Sequence, residues 1–130
     1  MSESQHISIY IERPAAEVYA YVMNPENLPN WAAGLSGSIQ NRDGRWFAQS
    51  PMGEIEVIFV PENPYFVADH DVKLSDGTTF NNPMRVIAHG TGSEVVFTLR
   101  RQLDRSEAEQ EADATEIRRD LATLKELLES

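Results

Sequence analysis

The sequence contains no cysteine. That excludes a disulfide framework and a thiolate zinc site. Histidine is scarce as well. His6, His70 and His89 stand apart, with no HxxxH or HxH pair, so no metal site is expected. There is no Gly-rich phosphate loop and no Ser/His/Asp constellation, and no cofactor is expected. No apolar run approaches the roughly 18 residues that a membrane-spanning helix needs. The opening MSESQHISIY lacks the basic start and apolar middle of a signal peptide, which predicts a cytoplasmic protein without membrane insertion. Basic residues are few, 11 Lys and Arg against 21 Asp and Glu, for a formal net charge of −10. Such a surface repels nucleic acid and anionic membranes, so neither is expected as a partner.

What remains is an ordinary globular composition. Residues 1–130 fit one domain, with 41% hydrophobic and 25% charged residues. HISIYIERP alternates, with Ile7, Ile9 and Ile11 on one face, and predicts a half-buried strand. Pro14 suits the first turn of a helix, and Val18, Tyr21 and Val22 give that helix an apolar side. NPENLPNWAAGL predicts a turn and a second short helix. The middle of the chain predicts strands and turns only, with a tight turn at Asp43-Gly44 and others at Gly77 and Gly90–Gly92.

The C-terminus changes period. Ser106 and Glu109 have the spacing of a capping box. Ala114, Ile117, Leu121, Leu124 and Leu128 then recur at spacings of 3 and 4, one apolar stripe on a long helix. Gln110 and Asp113 share that face. Their polarity predicts that the first turns of the helix extend past the sheet edge into solvent; the alternative is that they line a cavity mouth. A long amphipathic helix after an antiparallel meander must bury its stripe against the sheet.

Several segments, in this order, resemble the START-like, or SRPBCC, superfamily, which includes polyketide cyclases and dehydrases. ERPAAEVYAYVMNPENLPNWAAGL is similar to the opening of many members. ADHDVKLSDG, PMRVIAHGTGSEVVFTLRR and DLATLKELLES are similar to the later part of a bacterial, polyketide-cyclase-like subgroup. The resemblance implies an α+β helix-grip fold: a curved antiparallel sheet of about six to seven strands around a long C-terminal helix, with two short helices after strand 1. It also implies an internal cavity, but no single reaction.

One strand poses a question. YFVADHDVKL (65–74) is apolar or β-branched for most of its length, yet holds Asp69-His70-Asp71 at its centre. Alternation puts Phe66, Ala68, His70, Val72 and Leu74 on one face, the more apolar one, which predicts that His70 points inward and both aspartates outward. A three-residue loop, Ser75-Asp76-Gly77 with Gly77 left-handed, sets the partners: Val72 opposite Phe80, His70 opposite Asn82, Ala68 opposite Met84, Phe66 opposite Val86. Asp69 then falls near Arg85. The inner face is apolar in this register except at His70 and Asn82. Buried polar groups need hydrogen bonds. Either the two satisfy each other and pin the register, or they form the polar end of an apolar ligand cavity, where His70 is also the candidate catalytic acid or base.

The remaining candidates depend on that cavity. Trp31 plugs the core or forms a ligand platform. Phe59, Met84 and Phe97 belong to the core unless the sheet stands off the helix, in which case they line the space with Ile117 and Leu121. The expected function is binding of a small hydrophobic molecule (lipid, polyketide or aromatic metabolite) by Trp31, Phe59, His70, Asn82, Met84, Phe97, Ile117 and Leu121, in a monomer or homodimer. The alternatives are a cyclase/dehydrase-like enzyme using His70, and a partner-binding or stress-related domain with a vestigial pocket.

Overall fold

The structure is a computed structural model that describes residues 3–130. Strand β1 (Gln5–Ile11) opens the chain, with Ile7 and Ile11 buried as its alternation predicts. Helix α1 (Ala15–Val22) follows. Pro14 is its N-cap, one position before the first turn. The apolar side also differs from expectation. Ala15, Val18, Tyr19 and Val22 are buried and Tyr21 only packs against the rim. The Tyr19 hydroxyl makes this possible by accepting the Asn63 N–H at 3.0 Å. A 3-10 turn at Pro25–Asn27 leads into the single-turn helix α2 (Leu28–Trp31).

Seven more strands come next: β2 (Ser36–Arg42), β3 (Arg45–Ser50), β4 (Gly53–Phe59), β5 (His70–Leu74), β6 (Thr79–Asn82), β7 (Met84–His89) and β8 (Gly92–Leu99). All pairings are antiparallel, in two sheets ordered β1-β8-β7 and β2-β3-β4-β5-β6. The β2–β3 turn uses Asp43 and Gly44, both at positive φ, as the hairpin signal predicts. The chain closes with α3 (Glu107–Glu129). Ser106 accepts from the Glu109 N–H and the Glu109 carboxylate accepts from the Ser106 N–H, so the predicted capping box is complete. At ~1.5 Å per residue this helix runs ~34 Å, enough to cross both sheets.

There are eight strands among the described residues, where about six to seven are expected, because TFNNPMRVIAH divides at Pro83 into β6 and β7. Proline cannot donate to a ladder, but its carbonyl still accepts the Thr98 N–H at 2.9 Å. The chain bends there and passes from one sheet to the other. The bridge between Val67 and Arg85 continues the β5–β6 register across the joint, so the two sheets form one curved surface.

The stretch 65–74 is not strand throughout. β5 begins only at His70. Before it, Phe66 has a φ of 58°. The Asn63 carboxamide oxygen accepts from the Tyr65 and Val67 N–H groups, and its nitrogen donates to the Val67 carbonyl at 2.9 Å. This side-chain turn competes with the ladder and holds residues 63–67 in a loop. The register survives it. His70 faces Asn82 and Val72 faces Phe80. Ala68 donates to the Met84 carbonyl at 2.8 Å, and Val86 to the Phe66 carbonyl at 3.1 Å. Gly77, at φ 93°, donates back to the Leu74 carbonyl, as the three-residue loop requires.

Candidate functional site

A cavity of about 160 Å³ lies between the five-stranded sheet and the helices α2 and α3. The sheet wall comes from β4, β5, β6 and Phe97 of β8; the opposite wall comes from α2, the residues just after it, and one face of α3. Ten of its thirteen lining side chains are apolar; the other three are His70, Asn82 and Asp120.

Parity puts His70 into this cavity. The side chain is buried, and its ring lies 4.8 Å from that of Phe59 and 6.1 Å from that of Phe97, centroid to centroid. Nδ1 is 3.1 Å from the Ala68 carbonyl oxygen. A carbonyl only accepts, so Nδ1 carries the proton in the neutral ring and Nε2 is left as a lone-pair acceptor. Burial pushes the His70 pKa down; the Ala68 carbonyl and the charges of Asp69 and Asp71 oppose this without reversing it. The ring is therefore neutral near pH 7.

His70 and Asn82 are cross-strand neighbours, but they do not hydrogen-bond to each other. The partner of His70 is the backbone, so the reading in which the pair satisfies itself does not hold. The flanking aspartates are occupied elsewhere. Asp69 accepts from Arg85 at 3.2 Å and from the Met84 N–H at 2.9 Å, and Asp71 accepts from Asn81 at 2.9 Å. Burial works to raise the Asp69 pKa, but Arg85 and the Met84 N–H outweigh it and hold it below its ordinary value.

Of the expected set, Trp31, His70, Asn82, Phe97, Ile117 and Leu121 border the cavity. Phe59 and Met84 do not. Phe59 packs against the core and beside the His70 ring, and borders an outer groove. Met84 is fully buried beyond the Pro83 bend, in the core under the three-stranded sheet. Trp31 is buried with its indole N–H unpartnered among the described residues, so it walls the cavity while leaving a donor unmet.

Asp120 is the site residue that the sequence reading passes over. It follows Ile117 by three and precedes Leu124 by four, the spacing that defines the stripe. That signal was present, although a carboxylate on an apolar face is easily assigned to solvent. One of its oxygens, Oδ1, accepts the Ala33 N–H at 3.1 Å and so ties α3 to the segment after α2. Burial pushes its pKa up to about 6, Glu116 one turn away adds to the rise, and the Ala33 N–H opposes it.

Val72 and Asn82 also border an outer groove of about 380 Å³ that includes Phe80 and the ion pair of Arg105 with Asp113, 2.6 Å apart. The first turns of α3 are therefore not all in solvent. Asp113 lines this groove, and Gln110 is buried, 3.5 Å from the Gln5 side chain of β1. No described helix is long and apolar enough to cross a membrane.

No family model matches the chain, and no curated protein matches it. Solved structures do. XoxI from Bacillus cereus is similar with a TM-score of 0.74 at 14% identity, over 98% of this chain and 96% of that one. The di-domain ARO/CYC BexL from the BE-7585A biosynthetic pathway is similar with a TM-score of 0.72 at 15% identity, over 96% of this chain and 46% of that one. Ara h 8.0201 is similar with a TM-score of 0.65 at 12% identity, over 96% of both chains. With its two antiparallel sheets curved around a long C-terminal helix, this chain has the helix-grip fold that these structures share.

Proposed function

We propose that the protein binds a small hydrophobic molecule of about one ring, which donates a hydroxyl hydrogen to Nε2 of His70. The observation that carries this reading is the apolar cavity with a buried, neutral histidine whose second nitrogen has no hydrogen-bond partner among the described residues. Most pocket wall is apolar and a few polar groups fix orientation, the usual division of labour in small-molecule sites. Size narrows the ligand. About 160 Å³ is close to the ~150 Å³ engineered cavity that takes benzene. An aromatic metabolite fits this space; a long-chain lipid or multi-ring polyketide needs more.

A cyclase/dehydrase-like reaction is the second reading. It is favoured by the chemistry of His70, which in the neutral form is a general base near pH 7, and by similarity to the ARO/CYC BexL. The binding reading asks less of the site and accounts for its apolar walls.

Calorimetric titration with 4-ethylphenol and with ethylbenzene separates a polar anchor from packing. His70→Ala is expected to weaken the phenol by ~1–3 kcal/mol, the cost of leaving a buried polar group unpaired, and the hydrocarbon much less. Equal losses would show that His70 only shapes the wall.

A further inference from the structure

Resting on that reading, we infer that the ligand is a hydroxylated amine, with its ammonium group at Asp120 and its hydroxyl at His70. Nε2 of His70 accepts, because Nδ1 donates to Ala68. An ionised Asp120 also accepts. A ligand whose polar groups only accept is served by neither, and finds donors only at the Trp31 indole and the Asn82 carboxamide. A ligand with a hydroxyl at one end and an ammonium at the other is served by both, and the ring between them meets the apolar walls.

Among the described residues Asp120 also lacks the counterion that Glu56, Asp69 and Asp113 have. Glu56 is held by Arg45 at 2.8 Å, Asp69 by Arg85 and Asp113 by Arg105. Among the described residues no Lys, Arg or His nitrogen lies within 4.0 Å of Asp120. Its only hydrogen bond there is the Ala33 N–H on Oδ1, so Oδ2 is unclaimed. The charged neighbour on its own helix, Glu116, has the same sign. The facing residues of the α2 segment that line the cavity are Leu28, Trp31, Ala32 and Leu35, none of them ionisable, and the sheet wall across from it contributes only the neutral His70. A carboxylate so placed is stabilised most by a cation brought in from outside. Trp31, two residues from Ala33, gives the same wall an aromatic surface, a favourable neighbour for an ammonium group. The net charge of −10 raises the local concentration of cations over anions.

The matched pair tyramine and 4-ethylphenol tests this, because the two share ring and hydroxyl and differ in the ammonium group. At pH 7.5, calorimetry on the wild-type protein is expected to show tyramine binding about tenfold tighter, a ~1.4 kcal/mol difference. The advantage should shrink toward unity at pH 5, where Asp120 is protonated. Protonation of His70 at low pH also disfavours the ammonium, so the comparison with Asp120→Asn at pH 7.5 is what isolates the carboxylate. Asp120→Asn keeps an acceptor for the Ala33 N–H and removes the charge; it should bring the two affinities within about threefold. If 4-ethylphenol binds as well as tyramine or better at pH 7.5, the amine inference falls and the hydrophobic pocket stands. An advantage that persists in Asp120→Asn, or at pH 5, assigns the preference to the overall surface charge and also overturns it. If neither compound binds at millimolar concentration, the pocket reading falls with it.

Discussion

On the three-stranded side of the molecule α3 lies directly on the sheet, close along β1 and touching β8. There Leu124 meets a core in which Ile11, Val95 and Met84 are fully buried. On the five-stranded side the same helix faces Ile55, Val57, His70 and Val72 across a cavity. One amphipathic stripe therefore does two jobs. Its later part fills space and holds the fold; its middle, around Ile117 and Leu121, bounds space. The change falls where Pro83 bends the sheet, so the distance between sheet and helix is set by the backbone rather than by the pattern of apolar residues.

The largest expected effect tests that division directly. Leu124→Ala should cost ~2–5 kcal/mol in urea unfolding, the range for a fully buried leucine, whereas Ile117→Ala, half-exposed and already beside a void, should cost under about 2 kcal/mol. Equal costs would mean that the two halves of the helix are packed alike. Enlarging side chains probes the same contrast from the other direction. Val95→Leu adds a methylene to a filled core and should destabilise by ~1–3 kcal/mol. Val57→Leu adds one to the cavity wall and should stay within about 1 kcal/mol of wild type, while weakening 4-ethylphenol binding.

The joint between the sheets is next in size. Asp69 there accepts the half-buried Met84 N–H as well as Arg85. Asp69→Ala leaves that N–H unmet, so a loss of ~1–2 kcal/mol is expected. Glu54→Ala breaks only the exposed pair with Arg42 and should cost under about 1 kcal/mol. Matching losses would remove any special role for the joint.

The smallest effect concerns Asp120 and pH. Its carboxyl has a raised pKa in the folded protein, about 6 against an ordinary 3.8, so the folded state holds the proton more tightly than the unfolded state. Ionisation therefore opposes folding. The penalty is absent below about pH 3.8, grows as pH rises, and is complete above about 6. Asp120→Asn should raise Tm by a few degrees at pH 7.5 and leave it unchanged at pH 3.5, as read by thermal unfolding. A constant offset at both pH values would make the effect one of packing.

Much of this arrangement is legible in the chain. The β5–β6 register follows from the alternation around His70 and from a loop that needs Gly77 left-handed, and both operate within one hairpin. The capping box at Ser106 and the turn at Asp43-Gly44 are equally local. The failures share a cause. Residues 65–69 have strand composition, but Asn63 offers their backbone a competing set of hydrogen bonds. Met84 and Phe97 lie on opposite strands of one ladder and face each other, yet only Phe97 reaches the cavity. Gly92 is buried for a reason no local pattern shows: a Cβ there would run into the Tyr10 hydroxyl and the Ile11 carbonyl of β1, the strand on the far side of the chain.

By itself, the sequence determined the order of elements, the inward faces of β1 and of the β5–β6 hairpin, the pairing of His70 with Asn82 and the apolar stripe of α3. Those depend on the periods of helix and strand and on turn chemistry, which act over a few residues. Only the tertiary structure decided that the stripe meets one sheet and stands off the other, that His70 bonds to Ala68 and not to Asn82, and that Asp120 borders the same cavity without a counterion among the described residues. These depend on how far the sheet bends at Pro83 and on the volumes of side chains drawn from both sheets and two helices. Such sums have no value until the elements are packed together.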